Sequence, residues 1–322
     1  MLKIGNISLR NSYILAPMAG LTTPPTRRIS CKLGAAAAVT EMVSAAGTVY
    51  GEEKTLAYLS PYEGEDPLWV QLFGADTSIM AEASKIAKGY GAKIIDLNFG
   101  CPVKKVIKTG AGCAMMRDAE KAAEITRAVK DACGLPITAK IRAGWDEKSI
   151  NYIEFSQKLI DAGVDLICLH PRTRAQGFSG RANWGLIKKL KEAVSVPILG
   201  SGDLFTYQDT LKMIAETGCD GAMIARGAMG NPWIFKELLE ERRIEVSPEE
   251  KFEVIMEHLR LTVAYFRAGE HKAVKSFRQH IVWYSKGIPG ASALRRKMSE
   301  LNAVSEVEAA IRELLLSGEG SV

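Results

Sequence analysis

Short apolar runs alternate along the chain with longer stretches whose apolar positions recur every three or four residues. The short runs predict strands near Tyr13–Ala16, Ala36–Thr40, Leu68–Phe73, Ile94–Asn98, Ile137–Ile141, Leu166–His170, Ile198–Gly200 and Ala222–Ala225. They are apolar on both faces rather than alternating, as parallel strands buried beneath helices must be. Between them the longer period predicts amphipathic helices. Ile79, Ala83, Ile86 and Tyr90 mark one; Ala122, Ile125, Val129 and Ala132 mark another, entered at Asp118 and closed by Gly134.

A weak internal repeat sets the architecture. Helix-ending glycines (Gly34, Gly91, Gly163, Gly218) precede the even-numbered strands, and prolines (Pro67, Pro136, Pro197) announce the third, fifth and seventh. A two-unit period over eight strand–helix units suits a closed barrel, whose odd and even strands fill alternate interior layers. The expected fold is therefore α/β, a (βα)8 TIM barrel. An open doubly wound sheet is the competing architecture, but it has no need of eight consecutive units.

The pattern changes after Arg226-Gly227-Ala228-Met229-Gly230-Asn231-Pro232-Trp233. From Ser247, where Ser-Pro-Glu-Glu resembles a helix start, the chain reads as all-α. Phe252, Ile255, Met256 and Leu259 mark one apolar face; Leu301, Val304, Val307, Ile311 and Leu314 mark a later one. Gly287-Ile288-Pro289-Gly290 is an internal loop, and Ser317–Val322 is expected to fray. The expected organisation is a barrel domain over 1–240 and a helical domain over 247–316.

Composition adds three constraints. The chain has 322 residues, room for a barrel of about 250 and an appendage. No apolar run reaches membrane-spanning length, and Met1-Leu2-Lys3-Ile4-Gly5-Asn6 lacks a signal-peptide pattern. Six cysteines stand singly with no C-x-x-C pair, which argues against zinc or a disulfide framework and for a cytoplasmic location. Charge is unevenly spread. The stretch from His258 to Met298 holds nine Lys/Arg (260, 267, 272, 275, 278, 286, 295, 296, 297) and one acid, Glu270. That stretch carries +8 of a chain total of +5, so the remainder is net acidic and a polyanion partner is expected at the C-terminal part.

In a (βα)8 barrel the working groups project from the C-terminal strand ends. Those ends carry, in order, Ala16-Pro17-Met18-Ala19-Gly20, Thr40-Glu41-Met42, Gln71, Asn98 with Cys101, Lys140 with Arg142, and His170 with Arg172. The last two strands run into Gly200-Ser201-Gly202-Asp203 and Ala225-Arg226-Gly227. Small residues there let backbone N–H groups approach a phosphate, and Arg226 supplies countercharge. In Asp96-Leu97-Asn98-Phe99-Gly100-Cys101-Pro102 a strand breaks at Gly100 and Pro102 and leaves a thiol between them. A thiol with a pKa of about 8.5 carries its proton at neutral pH, so Cys101 suits either a nucleophile or a general acid. Lys140 stands in an apolar strand and needs an anionic or carbonyl partner in the mouth. It fits a Schiff base or contact with an electron-rich cofactor ring. His170, beside Pro171 at a strand end, reads as ligand-facing. The following loop, His170 to Gly180, holds Arg172, Arg174, Gln176 and Phe178, groups suited to gripping a phosphodiester and a base.

Taken together, these pieces resemble the tRNA-dihydrouridine synthases, flavoenzymes that reduce uridine in tRNA, and are most similar to the bacterial B-type branch. The matching segments are Ala16–Gly20, Gln71, Asn98-Phe99-Gly100-Cys101-Pro102, Lys140-Ile141-Arg142, His170–Gln176, Gly202-Asp203 and Ala225-Arg226-Gly227. They fall in order, one per strand end, between residues 13 and about 235. The resemblance implies FMN across the barrel mouth, with NADPH or NADH as electron donor. Pro17, Met18 and Ala19 would run along the flavin; Gln71, Lys140 and His170 would meet its polar edge. Ser201, Gly202, Asp203, Ala225 and Arg226 would hold ribityl and phosphate. Cys101 would be the proton donor to C5 of the uracil. Asn98, Arg142, Arg172, Arg174 and Gln176 would face the uridine, and the basic helical segment would grip tRNA, the enzyme acting as a monomer. Phe99 and Phe178 stand where Met and Tyr are expected, and Ser201 where Asn is commoner. Three rivals are weighed: a flavoprotein acting on a free pyrimidine, a Schiff-base lyase using Lys140, and a non-catalytic RNA chaperone. The basic C-terminal part counts against the first, and the strand-end groups would be superfluous in the third.

Overall fold

The computed structural model describes residues 1–266 and 268–316; Arg267 and the tail expected to fray, Ser317–Val322, lie outside the described residues. Eight parallel strands close into a barrel: β3 (Tyr13–Leu15), β4 (Ala37–Ser44), β5 (Leu68–Phe73), β6 (Ala92–Asn98), β7 (Ile137–Arg142), β8 (Leu166–His170), β9 (Ile198–Gly200) and β10 (Gly221–Ile224), with β10 pairing β3. Helices between the strands cover the outside. Among them, Ala119–Cys133 starts at Asp118, whose side chain accepts from the Lys121 amide, and ends at Gly134 in the left-handed region. The four glycines preceding even strands all have positive φ, the conformation that lets a helix stop and turn straight back into the sheet.

Strand alternation divides the side chains into two cores. Outward-facing Val70, Leu72, Ile95, Leu97, Ala139, Ile141 and Ile167 pack beneath the helices. Inward-facing Ile14, Val39, Trp69, Ile94, Leu166, Cys168, Leu199 and Met223 fill the lower barrel. Two strands not expected from the sequence, β1 (Lys3–Ile4) and β2 (Ile7–Ser8), form an antiparallel ribbon. The ribbon and its flanks deliver Leu2, Ile4 and Leu9 into the same inner cluster, plugging the barrel's N-terminal end. Above that apolar filling the inward positions turn polar: Glu41, Gln71, Asp96, Asn98, Thr138, Arg142 and His170 are all buried.

β4 runs four residues past its expected end. Glu41 is buried within it, and the strand continues through a register shift between Val39 and Met42.

The C-terminal helices are Pro248–Tyr265, Glu270–Tyr284, Ala291–Lys297 and Val304–Leu316. Val254, Ile255, Leu259, Val274, Phe277, Ile281, Val307 and Ile311 form their core, and that core also takes in Ile29 and Trp233 from the barrel side. The seam carries polar ties as well. His258 lies between Thr26 Oγ1 (3.2 Å) and Tyr284 Oη (3.1 Å), and Gln279 Nε2 donates to the Gly20 carbonyl (2.9 Å). The helical region thus has a core of its own that is extended onto the barrel's first helix, Pro24–Lys32, through Ile29. Of the region's aromatics, Tyr284 is buried, while Tyr265, Phe266 and Trp283 are half-buried.

Candidate active site

The C-terminal strand ends enclose a cavity of about 390 Å³. Pro17, Met18 and Ala19 wall one side; Gln71, Asn98, Cys101, Lys140 and Arg142 another; His170, Ser201, Gly202, Asp203, Ala225 and Arg226 close the rest. Alternation along each strand explains why one site collects these groups. Gln71, Asp96, Asn98, Lys140, Arg142 and His170 occupy inward positions, and the parallel register sets Asn98 beside Lys140 and Arg142 beside His170.

Cys101 lies on the turn after β6, half-buried. Its amide and that of Gly100 both donate to Asn98 Oδ1 (2.9 and 3.2 Å). Asn98 Nδ2 in turn donates to Gln71 Oε1 (2.7 Å). Burial pushes the thiol above its ordinary 9.0, with the Val103 amide and the Arg142 charge opposing. The group therefore carries its proton at neutral pH.

His170 is held neutral. Burial first, then the charges of Lys140, Arg142, Arg172 and Arg226, push its pKa down to about 2. Its Nε2 lies 3.3 Å from Arg172 Nη1. A guanidinium only donates, so Nε2 is the acceptor and the ring proton sits on Nδ1. Lys140 makes no ion pair among the described residues.

The two final strand ends make an anion cradle. Gly202 has φ +106 and a Cβ there would meet His170 Cδ2 at 2.8 Å, so only glycine fits. Asp203 follows with φ 57. The amides of Gly202, Asp203 and Arg226 donate to no protein group among the described residues. The Arg226 guanidinium stands over Phe178 (5.3 Å) and Phe205 (5.0 Å). Ser201 Oγ donates to the Met223 carbonyl (2.9 Å), which leaves its lone pairs free.

Three expected substrate contacts are not brought to the cavity. Arg172 is 1% exposed, and its guanidinium forks onto Asp203 (3.0 and 2.7 Å) while also donating to the Ser179 and Gly180 carbonyls. It braces its own loop and has no donor to spare. Arg174 stacks on Trp145 at 4.5 Å, with Arg117 on the same ring at 5.1 Å. Gln176 Oε1 accepts from the Thr173 amide. A loop of this length orders itself by bonding its own carbonyls, which consumes Arg172, while Arg174 is held by its stacking on Trp145. Two other expectations are narrowed. The Asp203 carboxylate is engaged by Arg172 and the Ala182 amide. Burial alone would raise its pKa, but these partners hold it below the ordinary 3.8. Only its main chain is left for an anion. Arg142 is buried and donates to Gly100, Thr173 and Gly177 carbonyls, so it lashes the Cys101 turn to the neighbouring loop.

Met42, from the second strand end, and Phe178, from the loop over the mouth, line the cavity as their places in the sequence lead one to expect, and Val103, Leu204 and Phe205 join them unannounced. Val103, Phe178 and Phe205 are exposed and form an apolar rim. The signal for Met42 was its place at a strand end. No local signal marks Val103 or Phe205, which arrive through turns.

Fold and site together define a TIM barrel with a largely apolar pocket, carrying a few polar groups and an anion cradle, at the C-terminal strand ends, where barrel enzymes carry their chemistry. The family model for dihydrouridine synthase matches residues 14–317. A probable tRNA-dihydrouridine synthase of Rickettsia conorii is 36% identical over 323 residues, covering 98% of this chain and 97% of that protein. tRNA-dihydrouridine synthase B of Pseudomonas aeruginosa is 37% identical over 319 residues, 97% of this chain and 95% of that one. The chain belongs to the dihydrouridine synthase family. Among solved structures, an old yellow enzyme homologue from Zymomonas mobilis superimposes with a TM-score of 0.55 at 10% identity, over 76% of this chain and 92% of that one. Histamine dehydrogenase from Rhizobium sp. 4-9 gives 0.58 at 16% identity, over 81% of this chain but only 50% of that chain, so this chain spans half its length. These likenesses are of fold. No helix among the described residues is long and apolar enough to cross a membrane.

Proposed function

We propose that this protein is a tRNA-dihydrouridine synthase that reduces the C5=C6 bond of uridine in the tRNA D-loop, in the cytoplasm, with FMN as carrier and NADPH or NADH as donor. The observation that carries this reading is a protonated thiol at the edge of a pocket with an anion cradle at its far side.

The residues present fit FMN. The unpartnered amides of Gly202, Asp203 and Arg226, with the Arg226 guanidinium, suit its phosphate. Pro17, Met18, Ala19 and Ala225 offer an apolar wall for the ring, and Ser201 accepts from ribityl hydroxyls. The flavin, when bound, supplies hydride to C6 of the uracil. Everything else falls to the chain. Lys140 places a cation where negative charge develops, and the Nδ1–H of neutral His170 donates without adding a second charge. Cys101 delivers the proton to C5, a step for which a thiol is a far stronger acid than a hydroxyl. The remaining Nδ2 hydrogen of Asn98 has only a long contact to Met42 Sδ (4.0 Å), which a uracil carbonyl would replace; its Oδ1 is already committed to the turn. The apolar rim of Val103, Phe178 and Phe205 accommodates a base turned out of the folded RNA.

The role of the C-terminal helices is tRNA binding through phosphates. Arg260, Lys272, Lys275, Lys286, Arg295, Arg296 and Lys297 are exposed. Arg278 differs: it donates to the Leu301 carbonyl and serves the fold.

The test is direct. Purified protein should be yellow and release FMN on denaturation. Cys101→Ala should keep the flavin and its reduction by NADPH but lose about 10²–10⁴-fold in turnover on unmodified tRNA. Full turnover by that variant removes the acid role. A colourless protein whose Lys140 is trapped by borohydride with a sugar phosphate would instead support the lyase.

A further inference from the structure

The polar layer beneath the cavity contains two carboxylates, Glu41 and Asp96, that contribute nothing to the pocket wall, and Asp96 is the one hydrogen-bonded towards Cys101. Asp96 is fully buried on β6, flanked in register by Gln71 on β5 and Thr138 on β7. Its Oδ2 accepts from Gln71 Nε2 (2.6 Å) and its Oδ1 from Thr138 Oγ1 (2.5 Å). Thr138 Oγ1 in turn accepts from the Trp69 indole N–H (3.1 Å).

We propose that Asp96 is a positioning residue for the Cys101 thiol: it fixes the sense of a hydrogen-bond chain that runs through the Gln71 and Asn98 amides to the Cys101 main chain. The inference rests on the reading of Cys101 as proton donor. An ionised carboxylate only accepts, so the Gln71 NH2 must face it and the Gln71 oxygen must face away. That oxygen then requires a donor, which sets Asn98 with its NH2 towards Gln71 (2.7 Å). Asn98 Oδ1 is left pointing at the turn, where it takes the Gly100 and Cys101 amides. Each amide could sit either way round by shape alone; the buried anion selects one. Reverse the chain and Asn98 presents N–H groups to the Cys101 amide, donor against donor. Burial pushes the Asp96 carboxyl up to about 6, while the Gln71 and Thr138 bonds and the Lys140 charge oppose it, so the anion persists at neutral pH.

The variants are Asp96→Leu, similar in shape with no acceptor, and Asp96→Asn, which keeps one acceptor oxygen. The readout is residue-resolved alkylation by iodoacetamide across a pH series, followed by mass spectrometry on the purified full chain. In Asp96→Leu the released turn should alkylate at Cys101 at least fivefold faster, with the alkaline midpoint moved down as the thiol loses its burial. Buried Cys113, Cys168 and Cys219 should stay as slow as in the parent. Asp96→Asn should fall between, because Thr138 can rotate to accept from the new amide. On tRNA, kcat should drop at least tenfold in Asp96→Leu with KM within a factor of two. A Cys101 profile unchanged in either folded variant overturns the proposal, as does equal acceleration at all cysteines, which would mean general loosening; if Asp96→Leu does not fold, Asp96→Asn decides at a threefold change. Parent protein that makes no dihydrouridine sinks the functional reading while leaving the alkylation result to judge Asp96.

Discussion

Arg172→Met tests whether the arginine after β8 braces the fold or touches substrate. The side chain is 1% exposed and its partner Asp203 is 22% exposed. Removing one partner of a buried ion pair costs about 3–5 kcal/mol, mostly because the other charge is left uncompensated. Here the lower end applies, since Arg226 Nη2 remains 3.5 Å from Asp203 and the carboxylate is partly wet. The Ser179 and Gly180 carbonyls also lose their donor, and water can reach that exposed loop. The expected loss is about 3 kcal/mol, or roughly 6 °C in Tm at roughly 2 °C per kcal/mol for a chain of this size. The pH dependence follows from Asp203 being held below its ordinary 3.8. Its pairing stabilises the fold above that value and is lost as pH falls through the folded-state value. Thermal unfolding of parent and variant should therefore show a constant gap at neutral and mildly acid pH that closes only below 3.8. A change of less than about 1 °C at neutral pH, combined with a raised KM for tRNA, would refute the bracing role and return Arg172 to the substrate.

Other outcomes are equally open to measurement. Burial holds the Cys101 proton beyond its ordinary 9.0, so single-turnover reduction of tRNA should stay flat up to that pH and fall only above it; a decline beginning near neutrality would contradict the assignment. Glu41 is buried with Oε1 accepting from the Gly20 amide and Oε2 unpartnered, and burial pushes it up to about 7 from an ordinary 4.5. The unfolded chain releases that proton first, so stability declines as pH rises from 4.5 to 7 and then levels. Glu41→Gln should gain on the parent by roughly 3 kcal/mol across that interval in urea titrations, and parallel curves would disprove the shift. Replacing exposed Arg295, Arg296 and Lys297 with alanine should weaken tRNA binding and flatten its dependence on salt by about 2 in log–log slope. An unchanged slope would place the RNA elsewhere.

The sequence by itself determined the barrel and the list of strand ends. Apolar runs such as Leu166–Leu169, set off by the helix-stopping Gly163, specify buried parallel strands because period and punctuation are local properties of the chain. They also fix which residues lie at the mouth, since alternation along a strand sends Asn98, Lys140 and His170 to the same side. What tertiary structure alone decided is how each polar group spends its hydrogen bonds. Arg172 and Arg142 read alike as cations near a site, yet both are consumed by carbonyls of the loop over it, and Asp203 is consumed by Arg172. Asp96 reads as one more strand residue until Gln71 and Thr138 flank it from neighbouring strands. The helical core likewise borrows Ile29 and Trp233, which no local pattern assigns to it. A side chain's chemistry is written in its residue type, but its availability depends on partners that folding brings from far along the chain, and a buried donor or acceptor must be matched wherever that partner lies.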